Sequence, residues 1–322
     1  MAIETRHTFA WPVMLAFATL LIAPLVGGSG LDFGRLARQE SPDWPILINL
    51  RIPRTLLALL TGGSLAAAGA MFQALLRDAL ATPSNLGVSA AASLGAVFAL
   101  VVLPGEEAGI PLVWPCALLA TAAVIAAVSA LRMHPRFTPS TLLLTGVAVN
   151  GVCLAVILLL HSLAGIAKGF QVTHWLMGGI DAVEYRVLGY VALAVVPVLA
   201  WAVSISRVLN VMSYGDTWAA GRGVDTRSIA WKGFLAGAVL SGVTTAVTGP
   251  IAFVGLIVPH LIRRVTGPDH RVLMPACIFC GGAFLAICDT VSRTVMAPVE
   301  VPVGVITALL GGPFFVWLLW SR

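Results

Sequence analysis

The chain has 322 residues, 59% of them from the hydrophobic set and 10% charged, with 19 basic and 14 acidic side chains and a mean hydropathy of +0.96. Ordinary soluble domains carry about 25% charged residues, and so few charges cannot cover a 33.6 kDa particle in water. A soluble globule is excluded, and lipid must serve as most of the solvent.

Stretches without Asp, Glu, Lys or Arg run over 8–31, 55–76, 79–105, 108–131, 137–167, 187–206, 233–262, 272–288 and 301–321. Each approaches or exceeds the roughly 17–25 residues that cross a hydrocarbon core. The first is read as a retained span rather than a cleaved leader, because Pro24, Gly27 and Gly28 offer no clear small-x-small cleavage site. The run 233–262 contains Gly249-Pro250, a pair that stops or kinks a helix. Splitting it into spans at 229–248 and 251–264 predicts ten transmembrane helices in an all-α integral membrane protein.

Charge distribution supports the split, since basic residues favour the cytoplasmic side of short loops. With ten spans and cytoplasmic N- and C-termini, twelve basic residues lie inside (Arg6, Arg77, Arg132, Arg136, Arg207, Arg222, Arg227, Lys232, Arg263, Arg264, Arg271 and Arg322) and seven outside. With nine spans the count becomes nine inside to ten outside, and the bias vanishes. The connections are too short for a soluble domain, so residues 1–322 form a single transmembrane domain and any catalytic module is another polypeptide.

Small residues recur every fourth position at Gly62, Ala66 and Ala70, at Gly87, Ala91, Gly95 and Ala99, and at Ala122, Ala126 and Ala130. Such ridges let helix backbones approach closely in lipid. Breaks are expected at Pro53, Pro83, Gly249-Pro250, Pro259, Pro302 and Gly311-Gly312-Pro313; they fit either a translocation path or helix bending for packing. The five cysteines all fall in apolar spans, and Cys277-x-x-Cys280 reads as helix packing, with no second Cys or His pair at zinc spacing. The basic residues are scattered without a Lys/Arg-rich tract, which removes the nucleic-acid reading.

Apart from Asp289 and Arg293 at the edge of the ninth span, no ionised group lies mid-span. A secondary carrier or channel would need an intramembrane carboxylate, and an intramembrane enzyme a nucleophile or metal constellation; neither is evident. There is no Gly-x-x-x-x-Gly-Lys-Ser/Thr, so no P-loop and no permanently bound cofactor are expected.

Several blocks carry a more specific signal. Arg51-Ile52-Pro53-Arg54-Thr55-Leu56-Leu57-Ala58 is followed by Gly69, Gln73, Asp78-Ala79-Leu80-Ala81-Thr82-Pro83 and Leu86-Gly87-Val88-Ser89. Later come Trp175-Leu176-Met177-Gly178-Gly179, the stretch from Gly249-Pro250 to Pro259-His260, Asp269-His270-Arg271 and Pro302-Val303-Gly304-Val305-Ile306-Thr307. Together these resemble the FecCD-type permeases of binding-protein-dependent ABC importers for iron chelates, heme and cobalamin.

The resemblance implies a homodimer in the bacterial inner membrane, two cytoplasmic ATPase subunits that hydrolyse ATP, and one periplasmic substrate-binding protein. It assigns Arg51, Arg54 and Arg293 to docking acidic residues of the binding protein, for which the planar guanidinium fork is suited; anchoring to lipid phosphate is the alternative. Residues 205–228 look like the cytoplasmic coupling segment, with Leu209, Gly215, Asp216, Ala219 and Gly223 in the matching places, although Tyr214 and Arg222 stand where the family commonly has Leu. The alternative for this segment is an ordinary solvated loop. Asp78, Leu80, Ser140 and Thr141 are the cytoplasmic gate candidates, with Asp78-Ala79 replacing the family's usual Asn-Pro. His161, His174, His260 and His270 could meet heme iron, since imidazole is a common axial ligand. Heme is the favoured cargo, with ferric siderophore and cobalamin the alternatives.

Overall fold

One helix of small and apolar residues sets the axis around which the others pack. In the computed structural model, which describes residues 4–27, 30, 32–82, 84, 87–103, 109–131 and 139–320, the chain is helical and no strand occurs among the described residues. The elements are α1 (Glu4–Ile22), α2 (Phe33–Ala37), α3 (Asp43–Ile46), α4 (Ile52–Leu76), α5 (Val88–Val102), α6 (Gly109–Leu131), α7 (Pro139–Leu163) and α8 (Gly165–Leu176). They continue with α9 (Tyr185–Ser204), α10 (Ser206–Ser213), α11 (Asp216–Ala220), α12 (Thr226–Thr248), α13 (Val254–Thr266), α14 (His270–Thr294) and α15 (Val303–Trp320).

Among the described residues, Asp43–Leu76, Leu144–Leu163, Tyr185–Ser204, Thr226–Thr248 and His270–Thr294 are long and apolar enough to cross a membrane, and shorter apolar helices run over Ala10–Leu25, Val88–Val102, Leu112–Val128 and Val303–Trp317. α4 and α14 are mostly buried, whereas α7 and α9 present most of their surface outward. The core therefore lies where α4 meets α14, α12 and α13.

Close backbone approach explains that core. A Cβ on Gly62 would strike the carbonyl of Gly281, one on Gly281 would strike Ala66, and one on Gly69 would strike the carbonyl of Gly255. The Gly62/Ala66 ridge thus seats on α14, the packing that small residues permit in lipid. Cys277 and Cys280 are buried on the same helix among the core residues.

The structure moves several expected boundaries. The span expected from 55 begins at Asp43, because α3 runs into α4 through a wide turn over Leu47–Arg51 that accommodates Pro53 without a break. Pro53 falls in the first turn of α4, where a missing N–H costs nothing. Pro259 and Pro313 also sit inside continuous helices. At Pro259 the missing N–H would have bonded Gly255, and that carbonyl is taken instead by Gln73 Nε2 at 3.4 Å. The connection between α7 and α9 holds a further helix, α8.

Gly249-Pro250 does divide the long run. α12 ends at Thr248, Gly249 has φ +68°, and α13 begins after Phe253 at φ +67°. The break is fastened to two other helix ends: the Gly179 N–H donates to the Thr248 carbonyl at 2.9 Å, and the Gly304 N–H donates to the Gly178 carbonyl at 3.0 Å. Gly311 leaves room for the Phe253 ring. Three sequence blocks more than fifty residues apart therefore meet in one joint.

Candidate functional site

Polar side chains gather at the two ends of α4. Arg54 and Arg77 are separated by 22 uncharged residues, which at 1.5 Å per helical residue places the two ends about 35 Å apart, close to a bilayer hydrocarbon thickness.

At the Arg54 end, Asp289 of α14 is 1% exposed and receives two guanidinium groups. Arg54 Nε and Nη2 lie 3.1 and 3.0 Å from Asp289 Oδ1, and Arg293 Nε lies 3.1 Å from Oδ2. Arg54 also gives Nη1 to Glu300 Oε2 at 2.9 Å, and the Glu300 side chain is 55% exposed. Arg51, 6% exposed, donates to the carbonyl of Pro24 at 3.3 Å, and Arg293 Nη2 to that of Ala23 at 3.4 Å, so the segment after α1 covers both. Gly27 has no side chain because a Cβ there would collide with the Arg51 guanidinium.

The three arginines named from sequence are thus brought together around one carboxylate. With Glu300 they line a cavity of about 360 Å³, whose walls include Ile46, Leu50, Ala182 and Pro298. Sequence reasoning passed over Glu300, although Asp289 and Glu300 are the only acidic residues after Asp269. That scarcity was the available signal.

At the Arg77 end, α10 and α11 lie across the bundle. Leu209 and Ala219 are fully buried and anchor the segment, while Gly215 and Gly223 adopt φ values of +123° and +78° that favour glycine. Asp216 pairs with Arg77, the left-handed residue that ends α4, at 2.8 Å. Tyr214 and Trp218 are exposed, with the Arg222 guanidinium 4.6 Å from the centre of the Trp218 ring.

Asn210 makes the second tie. Its Nδ2 donates to Asp269 Oδ1 at 2.6 Å, and its Oδ1 accepts from the His270 N–H at 2.8 Å and faces His270 Nδ1 at 2.8 Å. An oxygen already accepting the backbone N–H makes Nδ1 the protonated ring nitrogen. Asp269 caps α14 through the Arg271 N–H at 2.9 Å. Burial alone would raise its carboxyl, yet the hydrogen bonds from the Arg271 amide and Asn210, with the Arg271 charge, hold it below the usual value. Behind this clamp, Arg263 Nη2 donates to Gln73 Oε1 at 3.2 Å, which links α13 to α4.

The gate candidates Asp78 and Leu80 follow α4 directly, Asp78 Oδ1 accepting the Leu80 N–H at 2.9 Å. This loop reaches α7 at Asn150, whose Nδ2 donates to the Ser84 carbonyl at 3.0 Å, and a Cβ on Gly87 would strike Val149. Thr141 is exposed at the start of α7; the Ser140 side chain and Pro83 lie outside the described residues. The histidines occupy separate surroundings: His161 Nε2 lies 3.1 Å from Thr173 Oγ1, His260 packs edge-on to Phe314, and His270 sits in the Asn210 clamp.

A family model described as the FecCD transport family matches residues 14–321. The chain belongs to that family. It is 40% identical over 297 residues to the ABC transporter permease protein YvrB of Bacillus subtilis, covering 89% of this chain and 82% of the relative. It is 34% identical to the hemin transport system permease HmuU of Yersinia pestis, over 95% of each chain. It is 35% identical to the vitamin B12 import system permease BtuC of Escherichia coli O139:H28, over 98% of this chain and 96% of the relative. A solved inward-facing structure of a metal-chelate type ABC transporter superposes with a TM-score of 0.86 at 25% identity, covering 99% of this chain and all of the other. Of the blocks quoted from the sequence, 175–179, 249–260 and 302–307 meet in the three-helix joint, and 51–58 and 269–271 contribute Arg51, Arg54 and Asp269 to the polar ends.

Proposed function

We propose that the chain is the permease subunit of an ATP-driven, binding-protein-dependent importer, acting as a homodimer of ten-span protomers in the bacterial inner membrane with heme as its cargo. The observation that carries this reading is the pair of polar assemblies at opposite ends of α4, with no charged residue of that helix between them. The Arg54 end faces outward and takes acidic side chains of a binding protein. The Arg77 end faces the cytoplasm and takes the ATPase through residues 205–228. Energy then comes from ATP hydrolysed by a separate subunit, consistent with the lack of a P-loop in this chain.

Coupling follows from the ties already described. Displacement of α10 and α11 by the ATPase pulls on Arg77, and so on the Asp78–Leu80 gate loop, through Asp216; it pulls on the start of α14 through Asn210. Tyr214 and Trp218 offer the exposed contact surface. Alternation between outward and inward access needs such a link, since ligand energy at one face moves the other only through elements that both faces bias.

Heme is supported by similarity to a hemin permease along 95% of each chain and favoured by imidazoles at His161 on α7 and His174 on α8. The equal similarity to vitamin B12 permeases supports cobalamin as a second reading. The test is uptake into proteoliposomes holding the permease with its ATPase, comparing binding protein loaded with heme, cobalamin or a ferric siderophore. Concentrative heme uptake that requires ATP is expected. Uphill transport without the ATPase would overturn the importer reading, and accumulation of cobalamin or siderophore but not heme would overturn the cargo.

A further inference from the structure

The two carboxylates that meet Arg54 are not equivalent. Asp289 is buried at 1% exposure and shared between Arg54 and Arg293, so it is fixed in place. Removing either of its partners would leave charge uncompensated in a dry site. Glu300 is 55% exposed, belongs to the connection between α14 and α15, and touches only the Nη1 edge of Arg54, at 2.9 Å. The backbone beneath it is pinned independently of its side chain, the Val301 N–H donating to the Ser292 carbonyl at 3.1 Å.

The cavity of about 360 Å³ beside it is lined by Arg51, Arg54, Arg293 and Glu300. Three guanidinium groups converge here, Arg54 and Arg293 sharing Asp289, Arg54 also holding Glu300, and Arg51 lying in the field of Asp43. Such a site takes another carboxylate by exchange, and the guanidinium edge best placed to receive it from outside is the one Glu300 holds. A half-exposed ion pair contributes only about 0.2–1 kcal/mol, so its exchange for an incoming carboxylate costs little.

Resting on the docking role proposed for Arg54, we infer that Glu300 is an internal stand-in for the binding protein's carboxylate. It occupies Arg54 in the free permease and is displaced on docking. Its pairing with Arg54 in the free permease lowers docking affinity, so that the binding protein is released after each delivery.

The experiment measures binding of cargo-free binding protein to the complete permease–ATPase complex in nanodiscs, for wild type, Glu300→Gln, Glu300→Ala and Arg54→Glu. Both Glu300 variants should bind about 1.4- to 5-fold more tightly, the range that about 0.2–1 kcal/mol gives. Arg54→Glu should bind more weakly. If Arg54→Glu weakens binding while the Glu300 variants are unchanged or weaker, the stand-in role is overturned and the docking role survives. If Arg54→Glu leaves binding unchanged, the docking role falls and this inference with it. Thermal unfolding of each complex confirms that the compared proteins are folded; Glu300, exposed and on a connection, tolerates both changes.

Discussion

Replacing Asn210 by Asp tests the clamp between α10 and α14 with a change of one atom. The acceptor that meets the His270 N–H and Nδ1 is kept, while the donor to Asp269 becomes a second carboxylate oxygen at a 2.6 Å contact. Two like charges at about 4 Å repel by about 1 kcal/mol in water and about 4 kcal/mol at an effective dielectric of 20. The Asp269 side chain is 45% exposed, which puts the expected loss at pH 7 near the lower figure, about 1–2 kcal/mol. Asn210→Ala instead deletes all three contacts, one of them to a charged carboxylate, and should cost about 2–3 kcal/mol.

The pH dependence separates repulsion from general damage. In wild type the Asp269 carboxyl is held below its usual value, so its contribution is present above that value and is lost as pH falls through the folded one. Between pH 7 and 5 the Asp269 contribution is constant. In Asn210→Asp the facing carboxylates raise one pKa of the pair, and stability is regained as pH falls through that window. Thermal unfolding in detergent, plotted as variant minus wild type against pH, should rise on acidification for Asn210→Asp and stay level for Asn210→Ala. A level curve for Asn210→Asp, or wild-type stability at pH 7, would refute the clamp.

Two further outcomes follow from packing and charge. Asp289→Ala leaves Arg54 and Arg293 without their shared buried carboxylate and should cost about 3–5 kcal/mol, read as a fall in thermal midpoint; a loss under 1 kcal/mol would show that Asp289 does not hold the cluster. Gly69→Ala drives a Cβ into the Gly255 carbonyl and should cost at least about 1–3 kcal/mol, whereas Gly189→Ala on α9, with nothing within 4 Å, should be neutral or stabilise by up to about 1 kcal/mol. Equal midpoints for the two alanine variants would contradict the close crossing of α4 and α13.

The sequence carried the helical class and the division at Gly249-Pro250, because each depends on local chemistry: apolar length or a glycine–proline pair; Arg51, Arg54 and Arg293 were singled out only through the family resemblance. It did not carry the continuity of Asp43–Leu76, since whether a proline breaks a helix depends on the turn that precedes it. Nor did it carry Pro259 remaining helical, which depends on Gln73 arriving from another helix to meet the Gly255 carbonyl. The pairings of Asp216 with Arg77 and of Asn210 with Asp269 are also tertiary. Asp216 and Asp269 stood in blocks that the resemblance marked, but nothing local named Arg77 or Asn210 as their partners until the fold set them opposite.

The hydrogen bonds that tie residues 178–179, 248–249 and 304 to one another run between main-chain groups. Peptide units are the same whatever side chains they bear, so positions beyond the joint's own glycines are free to diverge in size and polarity while the three helix ends keep their mutual placement. A lineage can therefore resculpt the walls around a new passenger molecule without having to reinvent the seam that holds them upright.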